Sequence, residues 1–379
     1  MAIHGNSFSQ RRVLAFPLKQ SHCDCGSSLK QKLIYDQEKN RAGGALSGLP
    51  VKITLPPMNA GNESDQRDAK PYQDGFCSEV LRGLTQRPKR IAPKFFYDEV
   101  GCQLFEEICQ LDEYYLTRTE IDILRENSTE ICRALGPKCL LVEFGSGSNV
   151  KTRILLDHLF ELVAYVPVDI ARTNLLRCSV RLSNDYPDLR ILPVCADFTT
   201  GFTLPEIPPV VQRIVAFFPG STIGNLEPVE AEDFLRRTAE LCGAGGGLLI
   251  GIDLKKDPNR LERAYNDARG VTAKFNLNLL DRINRTFGAN IRRKNFRHYA
   301  FYNEELGRIE MHLVSMAEQF VQLNGARIAF AEGEQITTEY SYKYSVLEFA
   351  DLAARSGWSV RESWTDPEHL FCVLHLVAR

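Results

Sequence analysis

The sequence predicts an α/β fold: a mostly parallel sheet covered by helices on both faces, with an α+β insertion. Three observations predict it. The runs CLLVEF (139–144), AYVPVDI (164–170), ILPVCADF (191–198), IVAFF (214–218) and GLLIGIDL (247–254) are apolar almost throughout. A strand buried on both faces reads as such a run, whereas a strand with one wet face alternates. Helical periodicity fills intervals between them, and alternating strands and helices belong to parallel sheets. The rhythm then breaks between 255 and 345.

Residues 1–74 are rich in Ser, Gly, Asn, Gln and Lys, with only short apolar patches, and are expected to be a flexible extension. Order is expected from Gly75. CSEVLRGL (77–84) has helical spacing, and FFYDEVGCQLFEEICQL (95–111) reads as a loop feeding a helix. Thr117 and Glu120 suit a capping box, in which each side chain bonds the other's backbone N–H. Ile121, Leu124, Ile131 and Leu135 follow at helical intervals.

An amphipathic helix is expected over Lys151–Val163, another over Pro228–Cys242. Pro228 suits a first helical turn, and Glu227, Glu230 and Glu232 favour its positive end. In the insertion, LERAYNDA (261–268) and LNLLDRINRTF (277–287) read as helices. QFVQL and ARIAF flank Asn324-Gly325, a hairpin signal of the type I′ kind. VLEFADLAARSG (346–357) restores a helix, and FCVLHLV (371–377) closes the sheet.

Composition excludes several classes. At 44% hydrophobic and 25% charged, with net charge -2, the chain has no electrostatic footprint for nucleic acid or an anionic membrane. No apolar run approaches a membrane span, and no secretory leader is recognisable, so a cytoplasmic protein is expected; a monomer is expected as well. The eleven cysteines are scattered, and Cys109, Cys195 and Cys372 lie in apolar surroundings, which fits reduced thiols. His22-Cys23-Asp24-Cys25 lacks a second half at ligand spacing, so no metal is expected.

Chemistry gathers at the strand ends. Glu143-Phe144-Gly145-Ser146-Gly147-Ser148 stands where a strand gives way to a helix, where glycines let a ligand approach backbone. Val150 replaces the third glycine of a dinucleotide fingerprint, which argues against a dinucleotide. Asp169 ends the second strand, placed to accept from ribose hydroxyls. Asp197-Phe198 ends the third, placed for an exocyclic amine and a purine face. Singly, each acid is more often a cap. In register at successive strand ends, they resemble class I S-adenosylmethionine-dependent methyltransferases, with a Rossmann-like sheet.

A closer resemblance rests on KFFYDEVG (94–101), EYYLTR (113–118), GSGSNVKTR (145–153), GSTIGNLEP (220–228), RAYNDARGVTAKFN (263–276) and TEYSYKY (338–344). In order and spacing they resemble the histidine-specific Nα-methyltransferases of ergothioneine biosynthesis, from about 75 to the C-terminus. The resemblance implies a cofactor domain over 137–254 and 346–379, and an inserted substrate-binding domain over 255–345 to which the helical segment 75–136 contributes. Tyr97, Gly145, Lys151, Asp169, Asp197 and Phe198 would line the S-adenosylmethionine site. Tyr114, Asn225, Tyr265, Glu339 and Ser341 would hold L-histidine, with Phe105 and the Gly220 carbonyl near the amine. Met311 and Tyr340 would shape the ring pocket, and Tyr114, Gly220 and Asn225 would align the reaction. Asn225 and Tyr265 would donate to the substrate carboxylate, and Glu339 and Ser341 would bond the imidazole.

Without the resemblance, Glu339 reads as an exposed strand acid, Tyr114 and Tyr265 as packing, Lys151 as solvated, His375 as a core histidine, and His158 and His312 as surface residues. The runner-up substrate is tryptophan or another aromatic amino acid. A protein or RNA methyltransferase and a non-catalytic cofactor-binding module stand further off.

Overall fold

The computed structural model describes residues 64–379 apart from Ser148. The expectations placed on residues 1–63, including the His22–Cys25 cluster, lie outside the described residues. The first helix, α1 (Ser64–Thr85), runs across the boundary expected at Gly75. A two-residue strand β1 (Lys89–Arg90) and a 3-10 turn (Pro93–Phe96) lead to α2 (Glu99–Ile108), capped by Asp98 accepting the Gly101 N–H at 2.8 Å.

Helix α3 (Tyr115–Glu126) starts earlier than the Thr117–Glu120 pattern suggested, and α4 (Ser128–Leu135) follows. Thr117 and Glu120 therefore lie inside a helix and form no capping box. Glu120 faces inward and is 1% exposed.

The main sheet begins with β2 (Cys139–Phe144), buried along its whole length. Helix α5 (Val150–Leu156) is shorter than expected, ending in turns before β3 (Ala164–Asp169). Helix α6 (Arg172–Asp185) leads to β4 (Val194–Cys195), where only two residues of the expected 191–198 strand form a ladder. Pro193, which has no N–H to give, interrupts the run between an isolated Ile191–Tyr165 bridge and β4. Then come β5 (Arg213–Phe218), a 3-10 turn (Thr222–Asn225), α7 (Pro228–Cys242) and β6 (Gly247–Asp253). Helix α7 has the expected Pro at its first turn and a capping box from Glu227 and Glu230.

The interrupted region holds α8 (Pro258–Tyr265), α9 (Val271–Phe287), β7 (Phe296–Asn303), β8 (Arg308–Ser315), β9 (Gln319–Leu323), β10 (Ala326–Phe330) and β11 (Gln335–Tyr342). Asn324 and Gly325, both at positive φ (47° and 80°), turn the β9–β10 hairpin as a type I′ turn requires. The chain ends with α10 (Val346–Arg355), β12 (Trp358–Thr365) and β13 (Phe371–Ala378).

The seven-stranded sheet has the order β12-β13-β6-β5-β2-β3-β4. Strands β6, β5, β2, β3 and β4 are parallel, while β13 lies antiparallel to β6 and to β12. FCVLHLV is thus an interior strand, and the edge is β12, whose exposure alternates. Chain progression reverses at β2, flanked by β3 and β5, and such a switch point opens a crevice at the strands' carboxyl ends. A four-stranded sheet, β1-β11-β8-β7, stands beside that crevice. The two parts are pinned by a parallel bridge from Leu254 to Tyr344 and by Gly224, where a Cβ would lie 2.6 Å from the Tyr342 carbonyl. Among the described residues no helix is long and apolar enough to cross a membrane.

Candidate functional site

At the end of β2, Gly145 has φ +73° and donates its N–H to the Val168 carbonyl at 2.9 Å. Nothing lies within 4 Å of where its Cβ would be, so the backbone faces open space. Beneath it, Glu143 accepts from Thr152 at 2.7 Å and from Tyr165, and burial pushes its carboxyl up to about 7. Asp169 ends β3 and accepts the Ala171 N–H at 2.8 Å; burial raises its carboxyl. Asp197 is half-buried, and burial alone would raise it, but bonds from Thr199 and Lys94 outweigh that and hold its carboxyl low. The Phe198 ring packs 5.5 Å from Phe218 and 5.7 Å from Phe144, at the margin of the aromatic core.

After β5 the chain turns through Gly220 (φ +80°) and Ser221 (φ +57°). The Gly220 N–H donates to both oxygens of Glu120, at 2.8 and 3.0 Å, and Lys151 Nζ stands 2.5 Å from the same carboxylate. Gly251 makes room for it, since a Cβ there would lie 2.2 Å from Glu120 Oε1. Glu120 therefore props the Gly220 turn from a helix a hundred residues earlier. Its helical spacing suggested only a cap. Asn225 closes the 3-10 turn half-buried, with no side-chain hydrogen bond among the described residues.

Across the crevice, an aromatic box forms. Phe105 lies 5.7 Å from Tyr97 and 6.3 Å from Tyr114, and Tyr114 lies 6.2 Å from Tyr265. Phe275 of α9, within the RAYNDARGVTAKFN motif, completes it 6.0 Å from Phe105. Burial first, then the Glu339 carboxylate among its other neighbours, pushes the hydroxyls of Tyr97 and Tyr114 well above the tyrosine range. Asp169 also acts on Tyr97, which therefore lies within range of both ends of the crevice.

Glu339 and Met311 are register partners on β11 and β8. Among the described residues the Glu339 carboxylate has no hydrogen bond or ion pair. It is deep in the protein yet still reachable by solvent, as a side chain lining a cleft is. Burial pushes its carboxyl up to about 7, against a smaller pull from Lys343.

Beside it, the Tyr265 hydroxyl donates to Ser341 Oγ at 2.8 Å. Lys343, fully buried, donates to Ser341 Oγ at 2.7 Å and Tyr265 at 3.1 Å, and pairs with Asp253 at 2.8 Å. Asp253 also takes bonds from Tyr115 at 2.8 Å and Lys256 at 2.5 Å, and its N–H donates to Ser221 Oγ at 2.8 Å. This network ties the second sheet to the Gly220 turn. Its central lysine lies within the TEYSYKY motif, where sequence spacing gives no sign of a buried charge.

Tyr340 is elsewhere. It points to the opposite face of β11, where the Arg308 and Arg90 guanidinium groups lie 3.5 and 4.6 Å from its ring centre. His312 is buried on that face, near Thr337 and Glu310, and is not the surface residue expected. Cys195 is exposed, against its apolar surroundings in sequence. His375 is buried with Nδ1 2.6 Å from Glu362, as a core histidine should be.

A family model described as "Histidine-specific methyltransferase, SAM-dependent" matches residues 76–378. The chain belongs to this family. The histidine N-alpha-methyltransferase of Mycolicibacterium smegmatis is 42% identical over 294 residues, covering 76% of this chain and 90% of that one. Ergothioneine biosynthesis protein 1 of Neurospora crassa is 30% identical, covering 77% of this chain and 33% of that protein. The 4-dimethylallyltryptophan N-methyltransferase of Claviceps purpurea is more distant, 26% identical over 329 residues. The tryptophan alternative is accordingly set aside.

The crevice of this histidine-specific methyltransferase suits S-adenosylmethionine. The cradle at Gly145, which a side chain would fill, can take the amino-acid portion of the cofactor. A carboxylate offers about four acceptor positions, so Asp197, bonded to Thr199 and Lys94, keeps capacity for an amino group. Asp169 stands at the neighbouring strand end, where a carboxylate can accept from ribose hydroxyls.

Proposed function

We propose that this protein transfers three methyl groups to the α-amino group of L-histidine, giving hercynine for ergothioneine biosynthesis. The observation that carries the reading is Glu339, a carboxylate with no partner among the described residues, beside the Tyr265–Ser341 hydroxyl pair and the aromatic box. An imidazole N–H satisfies that acceptor, and an apolar side chain would leave it unpaired, which such sites reject strongly.

S-adenosylmethionine, when bound, supplies a methyl group on a sulfonium. Aligning the amine is then the protein's main task. The Gly220 turn, braced by Glu120 and by Ser221, brings its carbonyl toward the amine. Asn225, whose carboxamide has no partner among the described residues, donates to the substrate carboxylate. Phe105 offers a ring face to the amine as methylation makes it permanently cationic. Three methyl groups enter and three protons leave as the ammonium becomes a trimethylammonium. Tyr97 and Tyr114, raised well above the tyrosine range by burial, keep their protons at neutral pH and do not take those released from the amine.

We further place residues 255–345, with 75–136, on the histidine side of the crevice, and the enzyme in the cytoplasm as a monomer needing neither nucleic acid nor membrane. Nine free cysteines among the described residues suit a reducing compartment. The test is methyl transfer from labelled S-adenosylmethionine to each of the twenty amino acids. Histidine should gain three methyl groups; turnover of another amino acid, or of none, would overturn the reading.

A further inference from the structure

Lys343 is a charged residue whose side chain is fully buried, and the reaction does not touch it. Its ammonium has three protons and no lone pair. All three protons are spent: on Asp253 (2.8 Å), Ser341 (2.7 Å) and Tyr265 (3.1 Å). Tyr265 donates to Ser341 as well. A serine hydroxyl has one proton and two lone pairs. Both Ser341 lone pairs are therefore filled, and only its proton is left for a ligand.

We propose that Lys343 is a positioning residue that makes Ser341 an obligate hydrogen-bond donor, so that the pocket selects the neutral imidazole ring. The inference rests on the histidine reading of the same site. A neutral imidazole has one N–H and one bare nitrogen. Glu339 takes the N–H, and Ser341 meets the bare nitrogen. An imidazolium would bring a second N–H against the Ser341 proton. The Tyr265 hydroxyl is consumed within the network, so the substrate carboxylate falls to Asn225, not to the Asn225–Tyr265 pair the sequence suggested. Burial disfavours the Lys343 charge, but Asp253 and Tyr265 more than offset that and hold it above the usual lysine range.

Other ionisable groups face this corner. Tyr97 and Tyr114 line the box and stay neutral, as does Tyr115, whose hydroxyl burial and Asp253 raise far beyond its ordinary value. Asp253 stays ionised: burial opposes this, but Lys343 and Lys256 lower its carboxyl. His298 Nε2 sits 2.9 Å from the Tyr265 carbonyl, and burial lowers it. Lys256, lowered to about 8 by burial, acts at one remove through Asp253.

Hercynine is the probe, because its quaternary amine cannot titrate. Calorimetry at pH 8 in two buffers of different ionisation enthalpy counts the protons exchanged on binding. Free ring and Glu339 are then both largely deprotonated, with reference points of about 6.5 and about 7. The proposal expects no net proton uptake at pH 8, and steeply weakening affinity below pH 7. Uptake of about one proton would mean the charged ring is bound, and would overturn it. In Lys343→Met one Ser341 lone pair is released and the charged ring is admitted. Binding at pH 7 should then take up protons that the wild type does not, and affinity should fall less steeply in acid. A uniform loss at every pH would make Lys343 merely structural. If Lys343→Met does not fold, the wild-type proton count still decides. Absence of hercynine binding and of histidine turnover at every pH would instead sink the histidine reading itself.

Discussion

The two ends of the crevice follow opposite rules. Around the carboxyl ends of the parallel strands each carboxylate already accepts from the protein: Glu143 from two hydroxyls, Asp169 from a backbone N–H. Glu120 holds Lys151 and the Gly220 N–H, and Asp197 holds Lys94 and Thr199. At β11 and the turn after β5, Glu339 and Asn225 have no side-chain partner among the described residues. Paired groups shape a cavity. Unpaired ones choose what enters it, because a buried polar group left unsatisfied costs about 1–3 kcal/mol. Cofactor capture can thus rest on backbone and strand-end acids, while amino-acid selectivity concentrates in a few waiting acceptors and donors.

The sharpest break of this contrast is Glu339→Ala. Histidine kcat/KM should fall on the order of 100-fold, as for a lost hydrogen bond to a charged group. S-adenosylmethionine affinity, read by calorimetry, should stay within about twofold. Equal losses would mean that the two ends are not separable. Next comes Asn225→Ala, which should raise the histidine KM about tenfold and leave the cofactor KM nearly unchanged in steady-state kinetics.

Glu339→Gln tests what the waiting carboxylate costs the fold. Its folded value, about 7, lies above the ordinary carboxyl value. Stability from this group is then full below pH about 4.5 and is lost as pH rises through about 7. The glutamine variant should gain about 1–3 kcal/mol at pH 8, discounted for its solvent access, and nothing at pH 4. Denaturant midpoints at the two pH values check this; equal midpoints would show a group paired in solution. The smallest effect is expected from Tyr340→Ala. Its ring lies between two arginines on the far face, so the histidine KM should change less than about twofold, with about 1 kcal/mol lost in stability. A large KM change would return Tyr340 to the pocket.

Much of this was legible in the chain. Apolar runs marked the parallel strands, since burial on both faces forbids polar residues there. Asn324-Gly325 announced its turn because it tolerates the positive φ found at both residues. Pro228 and its flanking acids marked the start of α7. Local rules failed where long-range partners intervened. Helical spacing could say that Glu120 begins a helix, not that it reaches Gly220 and Lys151. ILPVCADF had a strand's composition, yet forms little ladder around Pro193. FCVLHLV looked terminal, yet lies inside the sheet.

By itself, then, the sequence determined the fold class, the strand-end acids and the motifs of a histidine-specific methyltransferase, because hydrophobic period, turn chemistry and motif order are local properties of a chain. Only the tertiary structure decided which charges are paired. It assigned Lys343 to Ser341, Tyr265 and Asp253, turned Tyr340 away from Glu339, and left Glu339 without a partner among the described residues. Hydrogen bonds join atoms that meet through folding, and each donor or acceptor can be used only a fixed number of times; that count exists only once the partners stand within reach.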